Sequence, residues 1–159
     1  MKALPPVELP KICQWLETAV VEVVETMFGS MAYADGAPDL ASWSGTFLQS
    51  EISFSGGFDL QLRLWIGEQC ATELTSRVLQ MPKQELNEIV VGDTVGELSN
   101  MILGAVKSKM VDRGYTCALS LPCVRHGVSV GGFGGAPGKE RFLHFRFGSG
   151  RLLLAVATP

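Results

Sequence analysis

The sequence predicts an α+β fold: a mostly antiparallel sheet of about six strands, with the helices packed on one face. Three observations predict it. Residues 46–66 alternate apolar and polar side chains with a period of two, interrupted by Ser55-Gly56-Gly57, the pattern of a hairpin with one covered face. Residues 91–110 hold the longest unbroken helical period in the chain. The elements are also segregated: a helix, two or three strands, two helices, then about three strands.

Length and composition bound the rest. At 159 residues the chain is expected to form one domain over 1–159, with residues 1–10 as an extended lead-in. It is 47% hydrophobic and 18% charged, enough apolar material for a sizeable core. The net charge is −3 and the pI about 5.4, so no basic footprint for nucleic acid exists. The segment MKALPPVELP has no apolar run of signal-peptide length, and no stretch is expected to span a membrane. A soluble, cytoplasmic protein is expected. Cys13, Cys70, Cys117 and Cys123 form no C-x-x-C pair, and His126 and His144 have no ligand spacing, so no metal site is expected. The thiols are expected to be reduced and mostly packed. A Cys117–Cys123 disulfide would need a sharp bend in the strand they flank.

The first helix is expected over residues 11–28, burying Ile12, Leu16, Ala19, Val20, Val23 and Met27, with Gly29 as its stop. Residues 30–44 read as a loop with a short strand near 31–34. In the hairpin, Leu48, Ile52 and Phe54, then Leu60, Leu62, Leu64 and Ile66, take the covered face. A second helix follows over 68–80, and Pro82 separates it from the long one. Residues 85–91 read either as a separate turn or as the front of that long helix. Residues 118–124 form a strand that Pro122 makes an edge or a bulge, and 128–130 continue it. The run GGFGGAPG, residues 131–138, is flexible by composition. It fails as a phosphate loop: Lys139 is followed by Glu140, and no helix comes after it. Phe142, His144 and Arg146 alternate with Leu143, Phe145 and Phe147 in the final hairpin, with His144 expected to be exposed or to face a partner.

The long helix carries the candidate chemistry. At about 100° per residue, Val91, Val95, Leu98, Ile102 and Val106 gather on one side. On the other, Asp93, Glu97, Asn100, Gly104 and Ser108 fall within roughly 80°. Glu97 and Asn100, three apart, point the same way. Gly104 costs about 1 kcal/mol relative to alanine inside a helix, which suggests close approach of another backbone. Polar residues on the wet side of a helix are ordinary, and E-x-x-N spacing alone specifies no reaction.

The stretch GELSNMILGAVKSKM resembles the signature helix of the CheC/CheX/FliY family of chemotaxis phosphatases, with Glu97 and Asn100 on the family's E-x-x-N pair. The order of elements is similar too, and closest to the short CheX-type branch. The resemblance implies a phosphatase acting on the aspartyl phosphate of a CheY-type response regulator. Asn100 would orient the attacking water and Glu97 would pair with the regulator's lysine. Asp93, Gly104 and Ser108 would line the partner contact, Asp93 as a cap or rim charge, with Gly96 at its edge. Any Mg²⁺ would sit on the phosphorylated partner. The resemblance also implies a homodimer and a pseudo-twofold internal repeat. Glu25-Thr26-Met27-Phe28 echoes the motif but lacks the amide, so one site per chain is expected. The alternative is a non-catalytic module that docks a response regulator or a flagellar switch component.

Overall fold

The computed structural model describes residues 4–56 and 59–158, so Gly57 of the predicted turn lies outside the described residues. In chain order the elements are α1 (Leu9–Phe28), β1 (Ala32–Ala34), β2 (Phe47–Gly56), β3 (Leu60–Ile66), α2 (Glu68–Leu79), α3 (Glu88–Val111), β4 (Cys117–Leu119), β5 (Cys123–Val128), β6 (Glu140–Phe147) and β7 (Gly150–Ala157). Helix α1 starts earlier than its apolar period suggests because Pro10 fits the first turn, where its missing N–H costs nothing. Gly29 ends it in the left-handed conformation, φ 67°, with its N–H bonded to the Glu25 carbonyl. Residues 83–85 form a separate single turn, and Glu88 opens α3.

All strand pairs are antiparallel, in the order β1-β6-β7-β3-β2-β4, with β5 also paired to β2. The seven strands among the described residues exceed the expected six because Pro122 divides one predicted strand. Leu119 pairs with Phe54 and Cys123 with Glu51, and a bulge separates them. Ser120 fills the gap: its N–H donates to the Ser53 carbonyl (2.9 Å), and its hydroxyl accepts from the Ser53 N–H (2.8 Å). Cys117 and Cys123, at the two ends of this bulged segment, are both free thiols.

The helices cover one face. Leu48, Ile52 and Phe54 of β2, Leu60, Leu62, Leu64 and Ile66 of β3, and Leu152, Leu154 and Val156 of β7 pack beneath them in one core. Each such side chain contributes about 1.5–3 kcal/mol on burial. Helix α3 has the length and hydropathy of a membrane span, contrary to the sequence expectation, but 56% of that window is buried inside the fold. Its apolar composition is that of a core helix.

The opposite face is covered by loops. Trp43, Trp65, Leu153 and Ala155 form a second cluster, with Phe47, Val130, Phe133 and Phe142 against it. Trp43 comes from a 3₁₀ turn, Leu40–Trp43, capped by Asp39; the sequence reading leaves it as loop. The glycine-rich run is pinned where flexibility is expected. Arg63 lies 4.2 Å over the Phe133 ring and donates to the Gly131 and Gly132 carbonyls, and the Phe133 N–H donates to Glu140 (2.8 Å). The run leads directly into β6, with no helix N-terminus to hold a phosphate. His144 is also corrected: it is buried, 6% exposed, edge-on to Trp43 at 5.7 Å.

Candidate functional site

The site is built on α3. The Asn87 side chain caps it, accepting from the Val90 N–H at 3.0 Å, and Glu88 in the first turn suits the positive end of the helix dipole. Asp93 is therefore no cap; it stands exposed in the second turn. The five apolar residues of the predicted stripe are all buried. So are Gly92, Thr94, Gly96, Ser99, Leu103 and Met110, which widens the buried arc to about 200° of the helix.

Small residues let β5 close against this side. A Cβ on Gly92 would stand 3.2 Å from His126 Nε2, and one on Gly96 would stand 3.3 Å from Val124 and 3.4 Å from Pro122. Gly96 is thus covered by its own chain and is no part of a partner surface. Directly beneath, the Ser50 and Ser99 hydroxyls meet at 2.6 Å, and Ser99 Oγ donates to the Gly96 carbonyl at 2.9 Å.

The remaining arc carries the predicted residues together. Asp93, Glu97 and Ser108 are exposed; Asn100 and Gly104 are half-buried. Ser108 donates to the Gly104 carbonyl of its own helix at 3.2 Å. Among the described residues nothing lies within 4 Å of a Cβ placed on Gly104, so none of them supplies the expected approach of another backbone. Among the described residues, the Glu97 and Asn100 side chains have no hydrogen-bond or ion-pair partner. A carboxylate that only accepts and an amide that both donates and accepts are therefore presented to solvent on a rigid helix.

The echo in α1 occupies a different place. Glu25 lies in the last turn of its helix, whereas Glu97 is in the middle of α3. Phe28 is buried against Phe147, ring centroids 4.5 Å apart.

A cleft of about 920 Å³ lies away from this stripe, between the end of α1, α2 and the β6–β7 turn. Its cations are occupied: Arg77 donates to the Phe28 carbonyl, and Arg151 donates to Ser42 and stacks on Trp43. Burial pushes the Cys70 thiol in its wall up to about 11, so it stays protonated at neutral pH and is a poor nucleophile. Among the described residues no three His, Cys, Asp or Glu side chains gather as metal ligands. The Ser50–Ser99 pair escaped the sequence reading. Its signal was a polar residue, Ser50, at an apolar position between Leu48 and Ile52.

The family described as Chemotaxis phosphatase CheX matches residues 49–131, more than half of the chain. No curated protein matches it. Among solved structures, chemotaxis protein CheX from Vibrio vulnificus superposes with a TM-score of 0.78 at 19% identity, covering 94% of this chain and 99% of that one. CheX from Desulfovibrio desulfuricans gives 0.67 at 20%, with 94% and 99% covered. The CheX-CheY-BeF3-Mg²⁺ complex from Borrelia burgdorferi gives 0.71 at 11%, with 92% and 96% covered. At these identities the structures show a shared fold. The family match over α3 and the strands on either side of it settles the assignment: the chain belongs to the CheX family of chemotaxis phosphatases.

Proposed function

We propose that this chain hydrolyses the aspartyl phosphate of a CheY-type response regulator, with Glu97 and Asn100 completing a site that the regulator mostly supplies. The observation that carries this is the uncommitted pair on α3. One carboxylate and one amide are too few for unaided hydrolysis, and no cluster of metal-ligating side chains stands among the described residues, so the pair makes chemical sense against a partner that brings the phosphate, Mg²⁺ and a lysine. The Borrelia relative, crystallised with CheY, BeF3 and Mg²⁺, supports a partner of this kind.

In this mechanism Asn100 holds a water in line with phosphorus, its amide oxygen accepting from the water and its N–H₂ donating to a phosphoryl oxygen. The water oxygen bonds to phosphorus as the bond to the aspartyl oxygen breaks. The carboxylate leaves with the electron pair, and the water's proton passes to the phosphate product or solvent. Glu97 pairs with the lysine and fixes the docking. Asp93, Gly104 and Ser108 form the contact strip, and the open space at Gly104 supports that role.

The proposal extends to one domain over 1–159 acting in the cytoplasm as a homodimer. It also includes two pseudo-equivalent halves, because exchanging β1, β2 and β3 with β4/β5, β6 and β7 leaves the strand order unchanged. Purified protein mixed with phosphorylated regulators and Mg²⁺ tests the activity. Accelerated phosphate loss with at least one regulator is expected. Measurable binding without acceleration would make the chain a docking module instead.

A further inference from the structure

We propose that the buried Ser50–Ser99 hydroxyl pair is a latch that sets the rotation of α3, and through it the aim of the Asn100 amide. The inference rests on the function proposed above. Both serines are 0% exposed, and their hydroxyls join the helix to β2 at the turn that carries Glu97 and Asn100. With the Ser99 O–H donated to the Gly96 carbonyl, Ser50 donates to Ser99 Oγ. In an α-helix that same carbonyl accepts the backbone N–H of the residue four on, which is Asn100. The chain of bonds therefore ends on Asn100's own backbone acceptor.

A Cβ on Gly92 or Gly96 would press on Pro122, Val124 and His126, so these glycines set how close α3 lies to β5. The packed apolar side chains confine the helix, and the hydroxyl bond adds a preferred angle at the turn that carries Asn100. The amide of Asn100 stands about 6 Å from the helix axis, so a roll of about 10° moves it by about 1 Å. A shift of that size can cost about 100-fold in a reaction that depends on position. Ser50 and Ser99 are fully buried, so they act through Asn100 as positioning residues.

The test removes both hydroxyls together, Ser50→Ala with Ser99→Ala, so that no buried donor is orphaned. kcat and KM on the phosphorylated regulator, and the Tm, are then measured in the parent and in an Asn100→Ala background. A roughly tenfold fall in kcat is expected, with KM and Tm held, and no further fall once Asn100 is alanine. The latch is overturned by any of three results. These are a kcat within about twofold of the parent, a joint loss of kcat with affinity or fold, or an equal fall in both backgrounds. Asn100→Ala alone separates the two claims: full activity there removes the functional reading itself, whereas its loss beside an unaffected serine double variant removes only the latch.

Discussion

Gly104 sets local stability against contact. Its Cβ position is open, so alanine there should gain about 1 kcal/mol of helix propensity and raise the Tm by about 2–4 °C. If the partner lies on this stripe, the same change should raise KM for the phosphorylated regulator; thermal melts and steady-state kinetics on Gly104→Ala check both. Glu97→Ala should weaken affinity as well as turnover, because it removes a docking charge, and titration against a stable phosphoryl mimic of the regulator would show it. Residue by residue, the candidate stripe was legible: period and spacing put Asp93, Glu97, Asn100, Gly104 and Ser108 on one arc, and the fold keeps them there. Ser99 was not legible as a partner of Ser50, because a contact across 49 positions leaves no local pattern.

Helix α3 reads in the sequence as amphipathic, with one apolar stripe, and its buried arc is wider than that stripe. Val91, Val95, Leu98, Ile102 and Val106 face the core as the period requires. What periodicity could not show is that Gly92 and Gly96 are buried too, since glycine carries no hydropathy signal and its use here is to admit β5. Gly96→Leu should therefore overpack the α3–β5 contact and destabilise by about 1–3 kcal/mol, a Tm loss opposite in sign to that of Gly104→Ala. An unchanged Tm would mean that β5 does not hold the helix. The edge itself follows the same logic: Pro122 was read as an edge or a bulge, and it is both, with Ser53 and Ser120 satisfying the backbone groups that the interruption leaves.

At the scale of the whole molecule, the sheet's second face holds a group that makes stability depend on pH. Alternation placed His144 opposite Leu143 and Phe145, and that is its side of the sheet. The alternation said nothing about the cover, because Trp43 arrives from a 3₁₀ turn about a hundred residues earlier in the chain. Burial, with Arg146 and Arg151 adding to it and Asp35 opposing, lowers the His144 pKa below the usual 6.5. The unfolded chain thus takes up this proton at higher pH than the native one. The stabilising effect of a neutral His144 is complete above about 6.5 and is lost as pH falls through the folded value. His144→Phe should flatten the fall in Tm between about pH 6.5 and 5, and a variant that loses Tm as steeply as the parent would exclude His144 as the cause. The fold class was legible because segregated helices and hairpins admit few layer arrangements, whereas the loops that cover the far face had no periodicity to announce them.

The central claim is that one amide on α3 accelerates hydrolysis on a partner. The most direct measurement is single-turnover phosphate loss from a phosphorylated CheY-type regulator with Mg²⁺, comparing the parent with Asn100→Ala under saturating binding. The account predicts a rate lower by about 100-fold with affinity within about twofold. An Asn100→Ala protein that dephosphorylates the regulator as fast as the parent would contradict it.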